Sequence, residues 1–130
     1  EHGIEPVFEM INGTDMPRFL VQNIAQAQEM LEAVQHPALK IQYDCYHMAM
    51  MGEDVLEGLK ENIDQIGHIQ FADCPGRHEP DTAELNFAQI FQWLQHSQYQ
   101  GYIAAEYKPQ YTSAQSFEWK NKYFSNDVNT

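Results

Sequence analysis

The chain is 130 residues long, 43% hydrophobic and 12% aromatic, which suffices for a sizeable core and argues against intrinsic disorder. Nineteen acidic residues against seven lysines and arginines give a formal charge of −12, which repels nucleic acids and anionic membranes. No apolar run approaches the roughly 18 residues that cross a bilayer. We therefore expect a single domain over residues 1–130, with no nucleic-acid or membrane partner.

The cysteines and the opening residues bear on where the protein works. Cys45 and Cys74 have neither the spacing of a disulfide framework nor that of a metal-binding motif. No charged-then-apolar leader opens the sequence. These features predict reduced thiols and a cytoplasmic location.

The first half of the sequence predicts two strand-helix units. A short apolar strand covers residues 7–11, and a polar loop follows it. Apolar residues then recur at helical spacing from residue 17 to residue 34, before His36-Pro37 ends the pattern. The second unit is a strand over residues 38–45 and a helix over residues 52–65.

The second half repeats the alternation of strands and helices. Its predicted elements are a strand at 68–72, a polar loop at 73–86, a helix at 87–96, a strand at 102–106 and a helix at 113–124. Trp119 and Tyr123 should pack inward from the last helix, and residues 125–130 read as a frayed tail. Alternating strands and helices predict an α/β fold with a parallel sheet and outer helices.

Each predicted strand carries, at or near its end, an oxygen-bearing side chain that could bind a metal ion. These side chains are Glu9, Asp44, Gln70 and Glu106. Their separations of 35, 26 and 36 residues are close to the roughly 31 residues per unit of an eight-unit barrel. The sequence therefore predicts four strand-helix units, or half of a (β/α)8 TIM barrel. The C-terminal strand ends of such a barrel meet at one mouth, where four oxygen donors suit Mg²⁺ or Mn²⁺.

Four motifs resemble those of the hydroxypyruvate isomerase family, one of the xylose-isomerase-like barrel families. The motifs are Glu-Met-Ile-Asn at 9–12, Gln-Tyr-Asp-Cys-Tyr-His-Met at 42–48, Gly-His-Ile-Gln-Phe-Ala-Asp-Cys-Pro-Gly-Arg-His-Glu-Pro at 67–80 and Glu-Tyr-Lys-Pro at 106–109. The resemblance runs from about residue 7 to residue 124 and implies the C-terminal half of a family barrel. Met10 stands where the family usually has proline, and Asp81 and Ala83 stand where it usually has glycine. The glycine losses should restrict any loop position that needs a positive φ.

The resemblance implies a reaction and a set of site residues. The reaction is a metal-assisted aldose-ketose isomerisation, hydroxypyruvate to tartronate semialdehyde or the same step on a related short 2-oxo acid, through an enediolate. The implied ligands of the divalent ion, Mg²⁺ or Mn²⁺, are Glu9, Asp44, Gln70 and Glu106. Glu9 and Glu106 would double as the catalytic pair that transfers the proton. His47 and Arg77 would hold the substrate, and His78 is a further candidate in the same loop as Arg77.

Each candidate residue also has a structural interpretation. A carboxylate at a strand end often caps a helix, and an amide in a strand is usually a satisfied polar group. The loop histidines could bond backbone groups, and Arg77 could pair with Glu79 or Glu84.

Two other functions remain open at this stage. One is a metal-dependent phosphodiesterase on the same barrel type, which the acidic charge and Gln70 disfavour. The other is a non-catalytic half barrel that serves as an assembly module or is a fragment. A lone four-stranded sheet would expose two edges and one apolar face, which predicts a homo-oligomer that covers the exposed face.

Overall fold

Four parallel strands form one sheet in the computed structural model, which describes residues 3–124. The strands are β1 (Val7–Glu9), β2 (Lys40–Asp44), β3 (Ile66–Phe71) and β4 (Ile103–Ala105), in the spatial order β1-β2-β3-β4. The helices are α1 (Ile24–Val34), α2 (Cys45–Met50), α3 (Val55–Asn62), α4 (Phe87–His96) and α5 (Glu118–Phe124), with 3₁₀ turns at Ile63–Gln65 and Gln115–Phe117. The predicted α/β fold with a parallel sheet is confirmed.

One face of the sheet packs against the helices and forms the core. The inward residues of β2 and β3 are fully or nearly fully buried: Ile41, Tyr43, Ile69 and Phe71. Phe71 meets Phe87 and Phe91 of α4 at ring-centroid distances of 5.7 and 5.1 Å. Trp119 and Tyr123 pack against this core from α5, as predicted.

The opposite face of the two central strands is polar, so the prediction of an exposed apolar face was wrong there. Side chains alternate along a strand, and the residues between the core positions of β2 and β3 are Gln42, His68 and Gln70. The parallel register pairs Gln42 with His68 and Asp44 with Gln70, so these polar side chains lie side by side. All but the fully buried Asp44 are partly exposed.

The first helix begins seven residues later than predicted. Arg18 has a φ of 70°, a left-handed conformation that breaks a helix, and the Ile11 N–H donates to the Val21 carbonyl at 3.0 Å. The segment therefore doubles back after β1. Asn23 then caps α1 by accepting from the Gln26 N–H.

The second crossover contains a short helix that was not predicted from the sequence. Asp44, the last residue of β2, caps α2 by accepting from the Tyr46 N–H, so the strand ends there and not at Cys45. The predicted helix at 52–65 is the shorter α3 followed by a 3₁₀ turn. The immediate start of α2 places His47 one turn from Asp44.

β3 starts at Ile66, before the predicted residue 68, and its second residue is closely packed. Gly67 lies within the strand, where an added Cβ would be 2.8 Å from the Cβ of Lys40 and 2.9 Å from Cγ1 of Val7. Glycine therefore serves close approach to the neighbouring strands here.

The loop after β3 keeps a left-handed residue although the family glycine is missing. Asp81 has a φ of 71°, and its carboxylate accepts from Lys122 Nζ at 2.7 Å and from the Tyr123 hydroxyl at 2.6 Å. Aspartate tolerates this conformation better than most residues. The predicted tail at 125–130 lies outside the described residues, and no helix within 3–124 is long and apolar enough to cross a membrane.

Candidate metal centre

The four predicted ligands lie at the C-terminal ends of four adjacent strands. Glu9 ends β1, Asp44 ends β2, Gln70 is the penultimate residue of β3 and Glu106 follows β4. Residue pairing places Glu9 beside Gln42, which shares a sheet face with Asp44, and Asp44 beside Gln70. The sheet thus carries the four side chains to one edge and one face.

Glu9, Asp44 and His47 form a compact cluster at this edge. His47 Nε2 lies 3.8 Å from Glu9 Oε1 and 3.8 Å from Asp44 Oδ2, and one ligand atom from each residue falls within 4.8 Å of the others. The two carboxylate oxygens are buried and have no hydrogen-bond partner. Buried polar atoms are normally paired, so these two oxygens fit a site that could hold a cation.

Burial controls the electrostatics of the cluster. It raises the pKa of Asp44 to about 7, although the hydrogen bond from the Tyr46 N–H acts in the opposite direction. Burial also raises the pKa of Glu9, with a further contribution from the charge of Glu106. The pKa of His47 falls to about 4, mainly through burial. A bound cation would offset the cost of ionising the two carboxylates.

Gln70 is oriented by Gln42, a residue that was not among the predicted site residues. Gln42 Nε2 donates to Gln70 Oε1 at 2.5 Å from the neighbouring strand. A carbonyl oxygen has two lone pairs, so Gln70 Oε1 retains one for a metal ion. Gln42 could have been found from the strand period, because it stands two residues before Asp44 and therefore faces the same side.

The ion-pair partner of Arg77 is Glu106, one of the four predicted ligands. Arg77 Nη2 lies 2.8 Å from Glu106 Oε2 and 3.8 Å from Asp44 Oδ2, and neither Glu79 nor Glu84 is its partner. The guanidinium also covers the Tyr46 ring, 4.9 Å from its centroid. Arg77 is therefore a resident countercharge beside the carboxylates, and a metal ion would compete with it for Glu106.

His78 serves the loops in this structure. Its Nδ1 lies 2.7 Å from the Lys108 carbonyl oxygen, and its own carbonyl accepts from the Asp73 N–H at 2.8 Å. The ring thus links the loop after β3 to the loop after β4. His47 Nε2 therefore lies beside the carboxylates of Glu9 and Asp44. Within residues 3–124, the His78 ring has its hydrogen-bond partner in the loop after β4 and not in this cluster.

A second layer of polar residues supports His47. Asn12 Nδ2 lies 2.7 Å from His47 Nδ1 and donates to Asp15 Oδ2 at 3.0 Å. Asp15 also accepts from the Tyr46 hydroxyl at 2.8 Å, and the hydrogen bonds from Asn12 and Tyr46 lower its pKa. The Asn-Gly-Thr-Asp stretch was predicted only as a loop. Its turn-forming composition was the available signal.

Asp73 organises the loop that carries Arg77. Its carboxylate is fully buried and accepts from four backbone N–H groups, those of Cys74, Thr82, Ala83 and Leu85, at 2.8 to 3.0 Å. In the sequence, Asp73 looks like an ordinary member of a polar loop. Its role depends on partners up to 12 residues away, which no local pattern shows.

Comparisons with known proteins agree with this architecture. A family model described as xylose isomerase-like TIM barrel matches residues 1–123. The crystal structure of a protein named AP endonuclease, family 2, from Brucella melitensis superimposes with a TM-score of 0.88 at 30% identity. The match covers 94% of this chain and 47% of that one, so the predicted half of a barrel is confirmed.

Two curated relatives carry isomerase names. Hydroxypyruvate isomerase of Escherichia coli (strain K12) is 38% identical over 117 residues, which cover 90% of this chain and 45% of the relative. The 2-oxo-tetronate isomerase of Cupriavidus necator is 37% identical over 121 residues, with 93% and 46% covered. The predicted resemblance is confirmed, and the chain spans less than half the length of these relatives. With a family model matched from residue 1 to residue 123, the chain belongs to the xylose isomerase-like TIM barrel family.

Proposed function

We propose that this chain carries the metal-binding and proton-transferring part of an isomerase of short 2-oxo and hydroxy acids. Conversion of hydroxypyruvate to tartronate semialdehyde is the expected reaction. The observation that carries the proposal is the pair of buried oxygens, Glu9 Oε1 and Asp44 Oδ2, which have no hydrogen-bond partner at the C-terminal ends of the strands. The names of the two isomerase relatives support the same reaction class.

The ligand set favours Mg²⁺ or Mn²⁺. Glu9, Asp44, Gln70 and Glu106 would hold it through oxygen atoms, which hard divalent ions prefer. Such an ion, when bound, polarises a carbonyl group and stabilises negative charge on neighbouring oxygens.

Two carboxylates on the outer strands would serve as the acid and base that transfer the proton. Isomerisation removes a proton from the hydroxymethyl carbon of hydroxypyruvate and returns one to the adjacent carbon. Glu9 ends β1 and Glu106 follows β4, so they approach the sheet's mouth from its two sides, and one can remove the proton while the other returns it. Burial raises the pKa of Glu9 towards the range useful for a general acid or base.

Arg77 would hold the substrate carboxylate. Its guanidinium offers several N–H donors, of which the Glu106 contact uses one nitrogen, and Tyr46 supports its plane. An arginine presents two parallel donors to a carboxylate, which gives both affinity and orientation. His47 would face the oxygen atoms at the reacting carbons, beside the two unpartnered carboxylate oxygens.

A second candidate is a half barrel that works as an assembly module. The chain spans about 45% of its relatives, and β1 and β4 each pair with one neighbour among the described strands. Open edges can pair with further strands. We propose that a homo-oligomer covers these edges, and that the free thiols Cys45 and Cys74, both buried, suit a cytoplasmic location.

The two candidates separate in one experiment on the 130-residue chain. Calorimetric titration with MnCl₂ is combined with an NMR assay of hydroxypyruvate conversion and with the mass from size-exclusion chromatography. Asp44→Asn is the test variant and Asp54→Asn is the matched control, because both aspartates cap helices and only Asp44 lies in the cluster. Metal binding with turnover, both lost in Asp44→Asn alone, supports the isomerase. Binding without turnover supports the assembly module, and no binding contradicts the metal site.

A further inference from the structure

We infer that Asn12 is a positioning residue that fixes His47 as the tautomer with its proton on Nε2, which makes His47 a hydrogen-bond donor to substrate and not a metal ligand. The inference rests on the proposed function for the identity of the substrate, and on geometry alone for the tautomer. Distances by themselves would allow the opposite role, because His47 Nε2 is close enough to Glu9 and Asp44 to complete a three-ligand group.

The orientation of the Asn12 amide is determined by its own loop. Asn12 Oδ1 accepts from the Thr14 N–H at 3.1 Å and from the Asp15 N–H at 2.8 Å. A flipped amide would point its NH₂ group at these two donors. The oxygen is therefore fixed towards the loop, and Nδ2 is fixed towards Asp15 Oδ2 and His47 Nδ1, at 3.0 and 2.7 Å.

The same geometry determines which nitrogen of His47 bears the proton. Two N–H donors converge on Nδ1, the side-chain amide of Asn12 at 2.7 Å and its backbone N–H at 3.4 Å. A nitrogen that faces two donors must accept. A neutral imidazole with an accepting Nδ1 carries its hydrogen on Nε2, and an imidazolium would lose both contacts.

The Nε2–H group points into the carboxylate cluster. It lies 3.8 Å from Glu9 Oε1 and from Asp44 Oδ2, which is too long for a direct hydrogen bond. A histidine that ligates a metal usually shows the reverse arrangement, with one bare nitrogen on the metal and an N–H on the other donating to an acceptor. The cation would therefore be held by oxygen atoms alone, and Nε2–H is left to donate to a substrate oxygen.

The test is ¹⁵N NMR of the histidine side chains in the full chain at pH 7.5, free of metal, with His47→Gln used to assign the signals. We expect His47 to show a protonated Nε2 and a bare Nδ1, and to keep the Nε2–H after MgCl₂ is added. A protonated Nδ1 in the free chain, or loss of the Nε2–H signal on addition of Mg²⁺, would overturn the inference. The free-chain spectrum reports the tautomer whether or not the chain binds Mg²⁺ or turns over substrate.

The variant Asn12→Asp tests the role of Asn12, because it replaces the side-chain donor to His47 Nδ1 with an acceptor. Its carboxylate keeps an acceptor for the loop N–H groups and presents an oxygen to His47 Nδ1. That oxygen also faces Asp15 Oδ2, with which it would share a proton, and its other lone pair still accepts from Nδ1–H. The Nδ1–H form of His47 should therefore become the major one. Asn86→Asp is the matched control, because Asn86 also accepts from a backbone N–H but caps α4 away from the cluster. An unchanged His47 spectrum in a folded Asn12→Asp chain would contradict the role of Asn12. If that variant does not fold, the wild-type spectrum still decides the tautomer.

Discussion

The middle of the sheet and its β4 edge differ in how far their charged side chains are buried. At the ends of β2 and β3, Asp44 and Asp73 are fully buried, and the His47 side chain is 3% exposed. At the β4 edge, the side chain of Glu106 is 50% exposed and that of Arg77 is 28% exposed. β2 and β3 each have a neighbour on both sides and bury these residues, whereas Glu106 follows β4, which has one neighbour among the described strands, and is open to water.

The two regions differ in how easily their charged side chains can change partners. Asp73, in the middle, is held by four short hydrogen bonds, so its geometry costs free energy to change. The β4 edge holds one solvent-exposed ion pair, which contributes little to stability and can be exchanged for a metal or substrate contact. We expect substitutions in the middle to have large effects on folding and metal affinity, and substitution of Arg77 at the edge to have a smaller effect on metal affinity.

The largest effect should come from Asp73→Ala. The substitution leaves four backbone N–H groups without their acceptor, and we expect a loss of about 3–5 kcal/mol in the free energy of unfolding. Chemical denaturation measures it. Asp54→Ala is the control, since that exposed aspartate accepts from one N–H and should cost about 1 kcal/mol. Similar losses in the two variants would remove the distinction between the buried and the exposed carboxylate.

Asp44→Asn should have the next largest effect, on metal affinity. Asparagine can keep the cap on α2 and removes one charge from the cluster, so we expect affinity for Mn²⁺ to fall roughly 100-fold. Calorimetry or the paramagnetic resonance signal of free Mn²⁺ gives the change. Affinity equal to that of the wild-type chain would place the cation elsewhere.

Asp44→Asn should also change the pH dependence of stability in the metal-free chain. Burial raises the pKa of Asp44 from 3.8 to about 7, so its contribution to stability is fully present below its unfolded pKa and is lost as the pH rises through about 7. Asp44→Asn stays neutral. The free energy of unfolding of the variant should therefore rise relative to that of the wild type between about pH 4 and pH 7, by about 4 kcal/mol. If the difference in the free energy of unfolding between the two chains stays constant across this range, ionisation of Asp44 in the folded chain carries no free-energy cost.

The smallest effect should come from the edge. Arg77→Gln removes a positive charge 3.8 Å from Asp44 and frees Glu106, so affinity for Mn²⁺ should rise roughly 3- to 10-fold. Lys122→Gln is the control, because that lysine pairs with Asp81 in the loop after β3. Weaker binding of Mn²⁺ in Arg77→Gln would show that Arg77 organises the ligands.

The features that could be predicted from the sequence are those that repeat along the chain. The strand period and the length of a strand-helix unit placed Glu9, Asp44, Gln70 and Glu106 at one edge, because every unit delivers its strand end to the same side. Helix α4 was predicted at its observed bounds from its apolar residues, and the structure adds that Asn86 caps it.

The rest depends on contacts that no period encodes. The early helix start at residue 17 was wrong because Arg18, an ordinary residue, takes a left-handed conformation within a folded loop. Asn12 and Asp73 owe their roles to backbone N–H groups that only the folded chain brings to them. The polar open face was missed because Gln42 and His68 were treated as parts of apolar strands, although their alternation with Ile41 and Ile69 was present in the sequence.

The most direct test is a crystal structure of the chain grown with Mn²⁺, with the ion located by its anomalous scattering. We predict one site at the C-terminal edge of the sheet, with Glu9 and Asp44 oxygens within about 2.0–2.6 Å of the ion and His47 Nε2 outside its coordination shell. An ion bound to His47, or none at this edge while Glu9 and Asp44 remain buried, would contradict the proposed metal centre.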